Sequence, residues 1–257
     1  MSAYSDLSRV YDILNKDIDY SKWAQFIKKC FETYADTNVG LVLDLACGTG
    51  SMTIELSKLG YDMIGVDLSV EMLSVAADRT AQNNLSNKIL YLNQDMKDFE
   101  LYGTVGGVCC CLDSLNYLVN DGELEKCFLC IHNYLDDGGV FVFDVNTPYK
   151  FVNIYGDNAY ILEDESDEEK IYCGWQNTFD SNTGICDFYL SLFEKNSDSN
   201  YSRSDEIQQE RCYSELVIKD LVGKCGFEFV GMWGNMDFSQ AVEKSERWYF
   251  AVKCIKH

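Results

Sequence analysis

The sequence predicts an α/β chain: an open, doubly wound parallel sheet with helices on both faces and an antiparallel β cap inserted late. Three observations carry this. Short apolar strands alternate with helix-periodic segments from residue 41 to residue 145. A turn rich in small residues, ACGTG at 46–50, follows the first strand directly. After Pro148, the single proline, the alternation gives way to long polar and aromatic runs. Strands separated by helices form right-handed βαβ crossovers, which put the ligand crevice at the carboxyl ends of the strands.

From Trp23 the apolar residues Phe26, Ile27, Cys30, Phe31 and Tyr34 recur at helical spacing, so a helical cover over residues 1–38 precedes the main fold. LVLDL at 41–45 reads as a buried strand, and Met52, Leu56 and Leu59 mark the helix after the turn. The strand DMIGVD ends at Asp67, Ser69 can cap the next helix, and Glu71 suits its dipole. Strands follow near 88–93 and at 105–112. A helix near 121–135 turns Leu124, Cys127, Phe128, Ile131 and Leu135 to one side, and GVFVFDV is the next strand.

The segments EKIYCGWQNTF and ICDFYLSLFEK alternate on either side of Asn182 and Gly184, as an antiparallel hairpin does. Residues 150–212 are therefore expected to be the cap, with 1–149 and 213–257 forming the core. Ser214 and Gly226 bound a last helix, and FEFVGMW and RWYFAVKC complete the sheet. The cap leaves the core beside the crevice and is rich in aromatics, including Tyr172, Trp175, Phe179, Phe188, Tyr189 and Phe193. Together with the N-terminal helices, it is expected to choose the substrate.

Composition narrows the function. With 257 residues and 47% hydrophobic content the chain can bury a large core. No apolar run is long enough to span a bilayer, and MSAYSDLSRVYD lacks signal-peptide features, so a cytoplasmic protein without membrane attachment is expected. A reducing compartment argues against disulfides among the 12 cysteines. Cys109, Cys110 and Cys111 lie in an apolar run and are expected to pack. Cys127, Cys130 and His132 have metal-like spacing but no second matched pair, so no metal is expected. The net charge of −21 repels polyanions, which disfavours nucleic acid as a partner and favours a small molecule. The acidic run at 163–169 reads as a solvated loop. Nothing in the residues sets an oligomeric state.

The chemistry lies in VLDLACGTG at 42–50, where Ala46, Gly48 and Gly50 let backbone approach a ligand closely. Asp67 then ends the next strand, where a carboxylate can accept hydrogen bonds from ribose hydroxyls. A dinucleotide loop wants a third glycine, but GxGxxG aligned on Gly48 and Gly50 meets Thr53. With Asp44 before the loop and Asp95 after Asp67, the chain resembles class I S-adenosylmethionine (SAM) dependent methyltransferases. It is nearest to a bacterial group of small methyltransferases with a β cap. Matching stretches include YDILNKDIDYSKWA, NQDM, CLDSLNYL and FDVNTPYKF.

That resemblance implies a Rossmann-like, seven-stranded sheet and a SAM cofactor released as S-adenosylhomocysteine. It implies that Asp67 holds the ribose, Asp95 the adenine amino group, the Met96 backbone the adenine ring, and the Gly48 loop the methionine part. Leu68 and Leu112 join this set, and Tyr11 and Trp23 would close the site. Candidates to orient or deprotonate the acceptor are Asp113, Asn116 and Tyr117, with Arg211 and Tyr213 from the cap side; loop capping is their plainer role. Gln208 stands where relatives often have histidine, and His132 and His257 are the only histidines, which argues against a histidine base. NTPY at 146–149 follows the wrong strand for adenine methylation, and the Pro-Cys of cytosine methylation is absent. The expected activity is methyl transfer to a small molecule; the alternatives are an RNA methyltransferase and a SAM-binding regulator without turnover.

Overall fold

The helix expected from Trp23 begins a little earlier, because Asp19 accepts a hydrogen bond from the Lys22 N–H and caps it. This helix, α1 (Tyr20–Tyr34), buries Trp23, Phe26, Ile27, Cys30 and Phe31 on one side. The computed structural model describes residues 17–165, 170–195 and 200–256. Tyr11 lies outside them.

The core continues with β1 (Leu41–Leu45), α2 (Ser51–Lys58), β2 (Asp62–Asp67), α3 (Val70–Gln82), β3 (Ile89–Asn93) and β4 (Val105–Cys110). Then come a 3-10 turn (Ser114–Tyr117), α4 (Glu123–Tyr134) and β5 (Leu135–Asn146). Ser69 caps α3 as expected, accepting from the Met72 N–H at 3.2 Å. After the cap the chain returns as α5 (Glu215–Lys224), β10 (Phe227–Trp233) and β11 (Arg247–Cys254). Ser214 caps α5, and Gly226 ends it at φ +84°.

The seven strands lie in the order β10-β11-β5-β4-β1-β2-β3, with β11 antiparallel to both neighbours and β1–β5 parallel. The chain starts in the middle at β1, runs outward to β3, then crosses to β4. The crevice of such a sheet opens between β1 and β4 at their carboxyl ends. Both faces are buried, as parallel sheets require. Leu43, Leu45, Val108, Cys110, Phe141 and Phe143 join a core with Phe128 of α4 and Ile218 and Val222 of α5. Val42, Cys109, Val140 and Val142 turn the other way, onto Trp23, Ile27 and Phe31 of α1 and Leu56 of α2. The expected strand at 105–112 stops at Cys110, because Leu112 and Asp113 take φ of +58° and +56° and turn the backbone.

A second sheet holds β6 (Ala159–Glu165), β7 (Lys170–Asp180), β8 (Ile185–Lys195) and β9 (Tyr201–Arg211), all antiparallel and in chain order. Its central hairpin turns where expected. Asp180 accepts from the Asn182 N–H at 2.9 Å, and Gly184 takes φ +72°. The acidic run at 163–169 starts as strand, not loop: Glu163 pairs with Tyr172 on the edge strand β6, where charged side chains can face water. All 12 cysteines are free thiols. Among the described residues no helix is long and apolar enough to cross a membrane.

Close approach fixes α1 on the sheet. A Cβ at Gly107 of β4 would stand 2.8 Å from the Phe31 ring and 3.0 Å from Val39. We expect Gly107→Ala to lower stability by about 1–3 kcal/mol, read as a lower urea midpoint at unchanged slope. An unchanged midpoint would show that α1 is free to shift.

Candidate active site

The loop leaving β1 is built so that backbone, not side chain, faces the crevice. Ala46, Gly48 and Gly50 all have positive φ, at +53°, +54° and +77°. A Cβ on Gly50 would meet the Tyr91 hydroxyl at 2.5 Å and Ala76 Cβ at 2.9 Å, so Gly50 serves packing beneath the loop. A Cβ on Gly48 would meet nothing within 4 Å, which leaves open space against its backbone for a ligand.

Two carboxylates hold this loop. Asp67, at the end of β2, accepts from the Gly48 N–H at 2.8 Å and the Ser69 N–H at 2.9 Å. Burial pushes its carboxyl up, and those N–H groups oppose the shift. Asp44 lies beneath the loop and accepts from Thr53 Oγ1 at 2.5 Å and Cys109 Sγ at 3.5 Å; burial pushes it up to about 6. It faces a small side cavity of about 40 Å³ rather than the main one.

The main cavity, of about 490 Å³, opens from this loop. It brings together Ala46, Gly48, Asp67, Leu68, Asp95, Met96, Leu112, Asp113 and Tyr117. Such a volume accommodates a nucleoside with a substituent. Lys97 flanks Asp95: its N–H donates to Asp95 Oδ1 at 2.9 Å, and its ammonium pairs with Glu123 at 2.7 Å. The backbone strain at Ala46, Leu112 and Asp113 is worth roughly 1–3 kcal/mol per residue and clusters at this one mouth.

The far half of the cavity reaches the cap. Its walls are Lys150, Tyr155, Leu162, Trp175, Phe188, Leu190, Gln208 and Glu210, with Arg247 beneath. Arg247 Nη2 donates to Asp113 Oδ1 at 2.6 Å, and Nη1 donates to Asp144 Oδ2. Asp144 also accepts from the Asp113 N–H at 2.9 Å. Burial would raise Asp113, but Arg247 and Lys150 outweigh it and hold this carboxyl below its ordinary range. Glu210 accepts from Asn146 Nδ2 at 2.9 Å and is hydrogen-bonded to the Asp113 carboxyl. Burial first, then the Asp113 charge, push Glu210 well above the ordinary carboxyl range.

Several residues proposed from sequence stand outside the cavity. Trp23 is buried on the inner side of α1, its ring 5.1 Å from that of Tyr249, with the Arg247 guanidinium 5.8 Å from its centre. Asn116 is wholly buried as a bracket: its amide donates to the Arg211 carbonyl at 2.8 Å and accepts from the Asn146 N–H at 3.0 Å. The Arg211 guanidinium points away, to the Val119 carbonyl at 3.1 Å and Asp121 at 2.7 Å. The Tyr213 hydroxyl donates to the Leu118 carbonyl. Tyr117 does face the cavity, and its hydroxyl donates to Gln208 Oε1 at 2.9 Å.

Arg211 and Glu210 are neighbours on β9, and strand alternation decides between them. Gln208 and Glu210 are buried while Ile207 and Gln209 are exposed, so the even-numbered residues face inward here. That parity was the available signal for Glu210. Lys150 and Arg247 carried none, since only the fold sets them beside Asp113. Cys127 is buried, Cys130 Sγ donates to the Phe99 carbonyl, and His132 meets the Ile255 carbonyl at 3.1 Å.

A family profile for methyltransferase domains matches residues 42–139. YqeM of Bacillus subtilis (strain 168), assigned to the methyltransferases, is 30% identical over 254 residues, 98% of each chain. The chain belongs to the class I SAM-dependent methyltransferases. The crystal structure of such a methyltransferase from Clostridium acetobutylicum superposes with a TM-score of 0.84 at 32% identity, over 98% of this chain and 99% of that one. A dTDP-3-amino-3,4,6-trideoxy-alpha-D-glucopyranose N,N-dimethyltransferase of Streptomyces venezuelae is 30% identical over 154 residues, 59% of this chain and 61% of its own. The methyltransferase thus uses SAM as methyl donor.

Glu210 gives a pH test. A carboxyl whose pKa is higher folded than unfolded carries an extra proton when folded. Its contribution is complete below the unfolded value, about 4.3, and is lost as pH rises toward the folded value. Glu210→Gln keeps the shape without the proton. The stability of the native chain relative to this variant should fall above about pH 4.3, by at most about 1.4 kcal/mol per pH unit in urea unfolding. A pH-independent difference would mean that Glu210 is ionised in the folded protein.

Proposed function

We propose that this methyltransferase acts on a small molecule seated between the carboxyl end of β4 and the inner face of the cap. One observation carries the reading: a continuous cavity joins Gly48, Asp67 and Asp95 to Tyr155, Trp175 and Phe188. A donor bound at the first end therefore faces an enclosed chamber at the second. In this assignment Asp67 takes the ribose hydroxyls, Asp95 the adenine amino group, and the Met96 backbone the adenine ring. The open space at Gly48 receives the methionine part, and Leu68 and Leu112 supply apolar contact. SAM contributes an electrophilic methyl group on a sulfonium.

The chain's own residues then bind, orient and exclude water, which supplies much of the acceleration in a displacement of this kind. Tyr117, fixed by Gln208, and Asp113, fixed by Arg247, border the junction of the two halves. Residues 150–212 act as the selecting cap, and 1–149 with 213–257 as the donor-binding core. The named relative from Streptomyces venezuelae acts, by its name, on a nucleotide-linked amino sugar, which supports a small-molecule acceptor. The charge of −21 weighs against RNA.

The test uses SAM labelled in its methyl group and a cell extract separated into small-molecule and RNA fractions. We expect label in the small-molecule fraction, with S-adenosylhomocysteine released. Trp175→Ala should cut that transfer about tenfold or more while SAM affinity stays within about twofold. Label confined to RNA, or SAM binding without turnover in any fraction, would sink the reading.

A further inference from the structure

In the cap half of the cavity, the wall carries N–H donors that the protein itself leaves without acceptors. Lys150 opens a π-helical turn (Lys150–Tyr155) just after β5. Its Nζ donates to Asn146 Oδ1 at 3.0 Å and lies 4.9 Å from the centre of the Tyr155 ring. An ammonium has three donors, so two remain. Among the described residues Lys150 makes no ion pair; burial and the Arg247 charge push its ammonium down, and Asp113, Glu210 and Glu246 oppose that shift at longer range. The other cations lining the cavity are paired, Lys97 with Glu123 and Arg247 with Asp113 and Asp144.

Trp175 packs near the same ring. Trp175 lines the cavity with its ring centre 6.2 Å from that of Tyr155. Its indole Nε1 is buried and has no acceptor.

The nearby carboxyls do not oppose an anion. The Asp113 charge is answered by Arg247 at 2.6 Å. Glu210 sits between Asn146 and Asp113, and burial together with the Asp113 charge pushes its carboxyl toward the neutral form. The chain's charge of −21 acts mainly through exposed carboxylates, whose field salt screens over about 8 Å. A contact inside the cavity is screened far less.

We propose that the acceptor molecule is an anion, whose carboxylate or phosphate is received by Lys150 Nζ while its body rests on Tyr155, Trp175 and Phe188. This rests on the reading of the cap half as the acceptor chamber. It assigns the anchoring group of the acceptor, not the atom that receives the methyl group. Lys150 and Trp175 are accordingly specificity residues.

The test titrates the S-adenosylhomocysteine-saturated protein with four probes of one ring type: benzoate, phenyl phosphate, benzyl alcohol and benzylammonium. Tryptophan fluorescence and calorimetry report binding. We expect one of the anions to bind at least about tenfold tighter than benzyl alcohol, and benzylammonium no tighter than the alcohol. Which anion leads distinguishes a carboxylate from a phosphate. Lys150→Gln should remove that tenfold advantage and leave the alcohol within about twofold, while Lys150→Arg keeps most of it. The preference of the native chain decides the matter even where a variant does not fold. Benzylammonium binding tightest, equal affinities, an anion affinity indifferent to Lys150→Gln, or no binding by any probe would each overturn the proposal. Failure of the native chain to bind S-adenosylhomocysteine would instead strike the cavity reading itself.

Discussion

Asp113 and Asp144 are held together at the ends of neighbouring strands, and the Arg247 guanidinium lies between them. Two such carboxylates repel, and each buried charge costs several kcal/mol unless it is answered by partners of good geometry. Arg247 answers both, and the Asp113 N–H adds a third donor to Asp144. Much else hangs from this cluster. Leu112 and Asp113 keep their left-handed backbone only because Asp113 is tied at both its side chain and its N–H. Arg247 opens β11 opposite Asn146 of β5, and its guanidinium covers Trp23. Last strand, cover helix and cavity floor are thus fixed by one set of charges.

Asn146 extends the cluster into the cap. Its amide donates to Glu210 and accepts from Lys150, and its backbone N–H is held by Asn116. The segment from Asn116 to Asp121 then ties down the end of β9 and the residues after it, through the Arg211 carbonyl, the Gln208 amide and the Tyr213 hydroxyl. The Arg211–Asp121 ion pair adds little, since the Asp121 side chain is 94% exposed and such surface pairs are worth about 0–1 kcal/mol. Hydrogen bonds to buried backbone do most of the holding. The end of β9 is therefore set against the segment after β4 by contacts that leave the chamber itself open.

Much of this was legible in the residues. LVLDL, DMIGVD and the capping serines Ser69 and Ser214 announced their elements because burial on both faces and side-chain capping are local properties. The loop end of the cavity was legible for the same reason: Gly48 and Asp67 lie at strand ends, where the topology aims them. The cap end was not. Lys150, Glu210 and Arg247 are distant in sequence, and their meeting depends on β11 returning beside β5 and on β9 folding back over the 3-10 turn that follows β4. Alternation could have chosen Glu210 over Arg211, but an exposed-looking QQER run hides which residues point inward. Asn116, Arg211 and Tyr213 meet at this corner, and their hydrogen bonds are spent on joining cap to core.

The central claim is that the donor lies across the carboxyl ends of β1 and β2 with its reacting end toward the cap. A crystal structure of the chain with S-adenosylhomocysteine tests it most directly. The account predicts both ribose hydroxyls within about 2.6–3.0 Å of the Asp67 carboxylate, adenine beside Asp95 and Met96, and the sulfur turned toward Asp113 and Tyr117. A nucleoside seated in the cap half, with Asp67 contacting only Gly48 and Ser69, would contradict it.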